Sequence, residues 1–563
     1  MTITIPWFIP HLRHVEDHNS EKSFESSSIE SEQEIREYRD EANRPWYKFF
    51  DEYEYRYTDK QTNEHRWWNW FEKGTSDAEK KLVWKLYILV GFYSFLGYWI
   101  KYLDSSNLNN AYVSGLKGDI GMKGNDLIDT QVLFLVGGVI FELPWLFLLP
   151  RVPITYVLFA CEFAWSILTL ALYKVTDVAT LKALRFLIGC CEAAYFPCVH
   201  YLFSVWFKST EVGRIGGIFY IGQFLGILTS GLLQGAASKL HGLKGWQWMF
   251  LIDGLISLAV AIIGLFSLPG TPTNCYSIWL TDDEIRLARK RMRENHTDIS
   301  PTVKSFFHWP TWKNILTSWH FWLLSLAQMC GFNTNSASSG SFALWLSSLD
   351  RYSIAKLNNL TTIPPALGIL WIILVCGGAD LTRKRFLCII FSQFMNFVAN
   401  TILATWHVSE TAKWAGFSLT YFSWSQSSVF NPLINDILRH DANQKSIEWM
   451  IIYILGLQSN AWISRLVFPT TDAPRFKRGF ASCAGFSIAF NLILSVAYFF
   501  YKRDERKNAL RNGIYIYNSA KGEIPPIDSK VALNRDDEDE ELEGSEKDEK
   551  HIQTKIEVRE STL

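Results

Sequence analysis

The sequence lacks an excess of charge of either sign. It carries 55 Lys and Arg against 56 Asp and Glu, a formal net charge of -1, so no nucleic-acid partner is expected. It also lacks the motifs of common enzyme classes: no phosphate-binding glycine loop, no histidine pair at metal-ligand spacing and no nucleophile elbow. We therefore expect neither an enzyme nor a protein that holds a metal ion or another cofactor.

Cysteines at paired spacing are missing as well. The nine Cys lie mostly inside apolar runs, such as Cys190, Cys191 and Cys198, and do not have the spacing of a zinc site or a disulfide framework. They are best interpreted as small buried apolar side chains. The N-terminal region lacks the short apolar core of a cleavable signal peptide, so we expect it to stay in the cytosol.

Long apolar runs are what the sequence has in abundance. With 48% hydrophobic residues, 24 Trp, 23 Tyr and 39 Phe in 563 residues, it predicts one polytopic membrane protein rather than several soluble domains. Twelve runs are long enough to cross a bilayer. They lie at about 82–103, 127–149, 154–173, 184–207, 213–237, 246–268, 319–346, 360–379, 386–406, 414–434, 447–468 and 480–501.

The runs form two sets of six, which predicts an all-α membrane protein with six-helix halves at 82–268 and 319–501. Between them, residues 269–318 form a polar cytosolic loop whose segment LTDDEIRLARKRMREN has a charged helical pattern. A polar N-terminal tail, 1–81, and an acidic C-terminal tail, 502–563, complete the chain. Two such halves are the layout of major facilitator transporters, which bind their substrates between the halves near mid-membrane.

Basic residues predict the orientation. Short loops on the predicted outer side also carry lysines, so they do not decide it alone. The flanks do: basic residues precede the first span, fill the central loop, and follow the eighth and the last spans. We therefore expect both tails in the cytosol. These flanking residues are Lys80, Lys81, Lys85, Arg286, Arg293, Arg383, Lys384, Arg385, Lys502, Arg503, Arg506 and Lys507.

The fourth run carries ionisable residues at membrane depth, in RFLIGCCEAAYFPCVHYLFSVWF. On a helix, Arg185, Gly189, Glu192 and Phe196 recur on one face, so both charges are predicted to face the same interior surface. Ionisable groups inside a membrane are costly and usually functional. The alternative is an internal ion pair that only holds helices together.

Proton-coupled transport would need a carboxyl group in a low-dielectric cavity, where it can load and release a proton near neutral pH. The candidates are Glu142, Glu192, Asp104 and Asp253. Glu142 and Glu192 lie in the middle of their runs. Asp104 and Asp253 could instead cap helices or pair near the membrane surfaces.

Substrate contacts are predicted in both halves. Arg185 would hold a substrate carboxylate. Asn107 of the first span, three residues after Asp104, is a second predicted substrate contact. In the seventh span, GFNTNSASSGSF places Asn333, Asn335 and Ser338 in a glycine-flanked segment that could unwind and offer backbone groups. Close helix packing through small residues is the competing explanation.

Two further polar residues have ordinary interpretations. Arg465 lies close enough to the predicted outer end of its span to extend its side chain into the interface. His200 could relay protons. A single histidine near the end of a span is more often a satisfied polar contact.

Several separated motifs resemble those of the fungal allantoate permease family: KYLDSSNLNNAYVSGLKGDIG, FELPWLFLLP, GRIGGIFYIGQFLG and GWQWMFLIDGLISL. The resemblance covers about 84–506. It implies a major facilitator fold with 12 transmembrane helices, and a monomeric plasma-membrane symporter that imports a small organic anion with protons. One departure is that Asp104 is followed by Ser105, where many members have Asp-Arg.

The resemblance also bears on the substrate. Motifs near the tails, such as YRDEANRPWYKFFDEYEYR and YKRDERKNA, favour biotin as the anion. Pantothenate, allantoate, a sulfur-containing amino acid derivative or a small peptide remain open. A nutrient sensor on the same fold, without net transport, is the alternative of another class. The tails carry no recognisable signalling domain, which favours transport.

Overall fold

The computed structural model describes residues 10–13, 15, 35, 37–42, 44–56, 71, 75–148, 152–294, 309–439 and 442–523. The chain divides into two compact units. The first comprises Met1–Lys22 and Arg66–Tyr501, and the second Ser23–His65 and Lys502–Leu563. The acidic stretch DDEDEELEGSEKDEK of the C-terminal tail lies outside the described residues.

The first half of unit one is built mainly from long helices, two of which, α1 and α5, begin at a capping side chain. Asp177, for example, accepts a hydrogen bond from the Thr180 amide and fixes the start of α5. A π-helical turn, Tyr87–Phe92, joins α1 to α2. The helices are α1 (Asp77–Leu86), α2 (Tyr93–Ala111), α3 (Asp126–Leu148), α4 (Ile154–Ala171), α5 (Val178–Glu192), α6 (Tyr195–Trp206), α7 (Ser209–Ala237) and α8 (Gly245–Ser267).

The central loop contains the predicted helix, α9 (Asp282–Glu294). Arg291 on this helix is 1% exposed. Its guanidinium donates to Glu79 at 2.8 Å and to Glu211 at 2.6 Å. Because Glu79 lies on α1 and Glu211 in the first turn of α7, a charged loop helix is held to the first half by partly buried ion pairs.

The second half follows with shorter helices, since two of its predicted spans are interrupted. Ser318 caps the first membrane helix of this half by accepting from the Phe321 amide. The helices are α10 (Trp309–Thr317), α11 (Trp319–Asn333), α12 (Ser341–Ser348), α13 (Ile354–Leu360), α14 (Ile363–Thr382), α15 (Arg385–Thr405), α16 (Glu410–Leu419), α17 (Phe422–Ser425), α18 (Ser427–Ile437), α19 (Ala442–Val467) and α20 (Lys477–Lys507).

Nine helical segments in the described part of the chain are long and apolar enough to cross a membrane. The other three predicted spans coincide with α3, with α11 and α12, and with α16 to α18. The last two are divided into pieces shorter than a bilayer requires of one helix. The predicted helical fold in two halves is confirmed, and the twelve predicted spans all fall on helical segments.

Unit two is assembled from both ends of the chain. Strands β1 (Glu37–Asp40) and β2 (Ile514–Tyr517) pair in parallel, with Glu37 opposite Ile514. The buried carboxylate of Glu54 accepts from Arg44 at 2.5 Å and meets the Lys502 ammonium at 2.7 Å. The sequence predicted two cytosolic tails but gave no indication that they pair.

Candidate functional site

The fourth predicted span is two helices, α5 and α6, with a break at Ala193 and Ala194. Pro197 explains it, because its ring has no N–H to donate to the Ala193 carbonyl and clashes with that carbonyl. Glu192 therefore sits at the end of α5, beside the break. Gly189, one turn earlier, brings α5 against α3: a Cβ there would lie 2.1 Å from the Phe134 carbonyl oxygen.

Arg185 points from α5 to α2, where it meets Asp104. Its Nη1 lies 3.5 Å from Asp104 Oδ1, and its Nη2 donates to the Asp104 backbone carbonyl at 3.2 Å. The guanidinium also lies over the Phe250 ring, 5.8 Å from its centroid. Both side chains of the pair are at most 2% exposed. The described contacts of Arg185 are therefore those of an internal ion pair.

Hydrogen bonds extend this pair across the first half. Thr169 on α4 donates to Asp104 Oδ2 at 3.1 Å. Asn107 donates to Asp253 Oδ2 of α8 at 2.5 Å and accepts from Ser230 of α7 at 2.7 Å. Four of the predicted site residues, Asp104, Asn107, Arg185 and Asp253, thus share one buried polar network.

The other two predicted acids lie close to a lysine that the sequence reasoning missed. Lys101, on α2 one turn before Asp104, has its Nζ 3.7 Å from Glu192 Oε2 and is within electrostatic range of Glu142. Glu142 and Glu192 are 3% and 1% exposed. Among the described residues, neither oxygen of Glu192 finds a hydrogen-bond partner, and neither does Oε2 of Glu142. The signal that could have found Lys101 is its position, one helical turn from Asp104.

We call Lys101, Asp104, Glu142, Arg185, Glu192 and Asp253 the charged cluster. It holds four acids and two cations. An ionised carboxylate without hydrogen bonds costs several kcal/mol in a low-dielectric interior. The net charge of the cluster is therefore expected to change when a proton or a further ion binds.

Aromatic rings connect the surroundings of the cluster to the second half. Tyr102, next to Lys101, packs against Trp424 of α17 with ring centroids 5.6 Å apart. Phe196, one turn after Glu192, stacks on Tyr453 of α19 at 4.5 Å. The Lys101–Glu192 pair therefore lies beside the layer in which the two halves meet.

The seventh predicted span is interrupted within its glycine-flanked, serine-rich segment, where the sequence indicated that the helix could unwind. Helix α11 ends at Asn333 and α12 begins at Ser341, and Gly340 between them has φ +71°. Asn333 donates to Ser459 of α19 at 2.8 Å, and Asn335 accepts from the Ala337 amide at 3.1 Å. Both of these hydrogen bonds stay within the second half. The Ser338 side chain lies outside the described residues.

Arg465 and His200 take the ordinary roles. Arg465 is largely exposed and pairs with Asp129 at 2.6 Å, where α3 begins and α19 ends. His200 Nδ1 is 3.0 Å from the Phe196 carbonyl of its own helix. Among the described residues, no group of three or more His, Cys, Asp or Glu is arranged to hold a metal ion.

Comparison with known proteins gives a match over most of the chain. A family model described as Major Facilitator Superfamily matches residues 94–447. A "Vitamin H transporter" of Saccharomyces cerevisiae is 41% identical over 512 residues, 89% of this chain and 86% of that protein. A "Pantothenate transporter" of Schizosaccharomyces pombe is 29% identical over 424 residues, 72% of this chain and 79% of that protein.

Solved structures show the same fold at low identity. The major facilitator proton:xylose symporter XylE, bound to 6-bromo-6-deoxy-D-glucose, aligns with a TM-score of 0.57 at 13% identity. The alignment covers 73% of this chain and 94% of that chain. The nucleoside transporter NupG aligns with a TM-score of 0.53 at 11% identity, over 74% of this chain and all of that chain.

Proposed function

Because the chain belongs to the major facilitator superfamily, we propose that it is a plasma-membrane symporter that imports biotin, a small organic anion, together with protons. The observation that carries the proposal is the charged cluster, buried beside the layer in which the two halves meet. The 41% identity with a vitamin H transporter over most of both chains supports biotin as the anion. Pantothenate is the runner-up, because a pantothenate transporter is also similar.

The proton is carried by the acids of the cluster. Buried carboxyl groups without hydrogen bonds are suited to this task, since proton uptake removes a charge that the surroundings solvate poorly. All four acids have at least one buried oxygen without a hydrogen bond from described residues. Glu192 and Glu142 are the leading carriers, because both Glu192 oxygens and Oε2 of Glu142 are in that state. Asp104 and Asp253, which accept hydrogen bonds from Thr169 and Asn107, are the secondary ones.

The anion is bound between the halves. Arg185, Asn107, Asn333, Asn335 and Ser338 remain the predicted substrate contacts. The interrupted segment between α11 and α12 supports the contribution of the second half, because unwound backbone in a transporter occurs where it lines a cavity. The protein acts as a monomer with both termini in the cytosol.

Growth and uptake together test the proposal. The full chain is expressed in a yeast strain that cannot take up biotin, and growth is followed on limiting biotin. Accumulation of labelled biotin is measured beside pantothenate, allantoate and a small peptide, with and without a protonophore. We expect rescue, and biotin accumulation that the protonophore abolishes. If the cells accumulate only another compound of the panel, that compound replaces biotin as the proposed substrate. If none of the compounds is taken up, the nutrient sensor without net transport is favoured.

A further inference from the structure

The two cations of the charged cluster differ in how firmly they are held. Arg185 is 2% exposed, sits over an aromatic ring and binds both the carboxylate and the backbone carbonyl of Asp104. The Lys101 side chain is 21% exposed and its one ion pair in the described part of the chain, with Glu192, is long at 3.7 Å. An incoming anion that binds Lys101 therefore displaces fewer and weaker existing contacts than one that binds Arg185.

Acidic groups surround Lys101 from three helices. Glu192 of α5 lies 3.7 Å from it and Glu142 of α3 is within electrostatic range, while Asp104 lies one turn further along α2 and is held by Arg185. Tyr102, the next residue, reaches the second half at Trp424. Lys101 is thus a cation at the edge of the first half, close to two acids, Glu142 and Glu192, that have oxygens without hydrogen bonds from described residues.

We propose, on the basis of the proposed function, that Lys101 binds the substrate carboxylate and that this binding sets the proton requirement. The carboxylate takes the place of Glu192 beside Lys101. Glu192 is then buried without its cation, so it keeps a proton taken from outside. The cluster gains one anion and one proton, and its net charge is unchanged. Leaving the proton behind would bury an uncompensated carboxylate, which is costly.

Charge selectivity is the measurement that tests this role. Uptake of labelled biotin is competed with unlabelled biotin and with neutral biotin amide, and the ratio of the two inhibition constants is taken. A charge-assisted hydrogen bond contributes about 1.5–3 kcal/mol, so we expect the parent to prefer the acid by roughly tenfold or more. Lys101→Met should bring the ratio close to one, and Lys101→Arg should keep most of it.

Controls separate binding from folding. Lys182→Met removes a cation that pairs with Asp126 away from the cluster and should leave the ratio unchanged. If Lys101→Met does not reach the membrane, Lys101→Met with Glu192→Gln removes both charges of the pair, and binding of labelled biotin to membranes replaces uptake. The double variant should also bind acid and amide equally.

The outcomes distinguish this inference from the proposed function. If the parent protein transports a different acid, the competition is repeated with that acid and its amide in place of biotin and biotin amide. In that case the substrate in the proposed function is revised, and the role of Lys101 is still tested. If the parent transports biotin with protons but Lys101→Met keeps the parent ratio of acid to amide, the role of Lys101 is wrong and the proposed function stands.

Discussion

Asp104 on α2 and Glu192 at the end of α5 are both buried acids, but their surroundings differ. Asp104 accepts a hydrogen bond from Thr169 and pairs with Arg185. Glu192 has only the distant Lys101 ammonium among its described partners. At the scale of single residues, the contacts of Asp104 are those of a residue that holds α2 to α4 and α5, and Glu192 is the acid that we propose changes its protonation state during transport.

Replacing Glu192 or Glu142 with Gln should abolish pH-driven accumulation while the protein still reaches the membrane. Glutamine has the same shape but cannot carry a proton, and it removes a buried charge rather than adding one. Accumulation of labelled biotin is measured at acidic and neutral external pH. If both variants still accumulate biotin in proportion to the proton gradient, neither acid is the carrier.

Arg185→Met should fold poorly, because it leaves Asp104 buried without its cation, a change that typically costs about 3–5 kcal/mol. Adding Asp104→Asn removes the unpaired charge and should restore the amount of folded protein. Detergent-extracted protein is compared by size-exclusion chromatography. A double variant as poorly folded as Arg185→Met would mean that the pair with Asp104 is not what Arg185 stabilises.

The sequence located Arg185 and Glu192 through their helical spacing, but it could not identify their partners. Spacing defines a face of one helix, whereas the pairing of Arg185 with Asp104 depends on how α5 packs against α2. Lys101 was missed for the same reason. Next to Tyr102 in KYLD it has the pattern of a lysine near a membrane surface, and only the packing of α3 and α5 brings two acids to it.

At the scale of elements, two interruptions fall in spans that carry predicted site residues. The break after Asn333 follows from a run of small residues ending in Gly340, and the break before Tyr195 follows from Pro197. Both could be predicted from composition. The π-helical turn at Tyr87–Phe92 and the division of the tenth span near Tyr421 have no comparable signal in the composition.

Gly189→Ala should destabilise the first half, because the added Cβ would lie 2.1 Å from the Phe134 carbonyl oxygen of α3. Backbone cannot move away cheaply, and overpacking of this kind costs about 1–3 kcal/mol or more. Gly216→Ala on α7 is the matched control, since its Cβ would meet nothing within 4 Å. Thermal unfolding in detergent should show a lower midpoint for Gly189→Ala only; equal midpoints would contradict the close approach of α3 and α5.

At the scale of the whole molecule, the two chain ends form one unit. Burial alone would raise the pKa of Glu54, but hydrogen bonds from Arg44 and Lys502 and their charges outweigh it, so the pKa lies below its ordinary value of 4.5. The sequence could not reveal this pairing, because strands of four residues separated by the entire membrane region leave no local signal.

Glu54→Gln should loosen unit two at neutral pH, because Lys502 and Arg44 would lose their shared carboxylate. Since the folded pKa is lowered, the stabilisation is complete above pH 4.5 and is lost as the pH falls through the folded value. Hydrogen exchange of residues 37–40 and 514–517 in the full chain should speed up by roughly tenfold or more. Glu37→Gln is the control, because Glu37 is partly exposed and its one ion pair among the described residues is with neighbouring Arg39; equal exchange in both variants would contradict the role of Glu54.

Two glycosylation acceptors test the orientation of the whole bundle. Asn359, in Asn-Leu-Thr, lies exposed on α13, which the proposed topology places outside the cell; Asn295, in Asn-His-Thr, belongs to the central loop and lies outside the described residues. Glycans are attached only on the lumenal side of the membrane. Asn359 lies close to the membrane, since α14 begins four residues after it. A glycan on Asn359 would support the proposed topology, whereas its absence would not test it, and the modification of Asn295 then decides the orientation. We expect Asn295 to stay unmodified, because the proposed topology places the central loop, with the basic residues of α9, in the cytosol. A glycosidase-sensitive mass shift that Asn295→Gln removes would place that loop outside and invert both halves, together with the direction in which the charged cluster loads its proton.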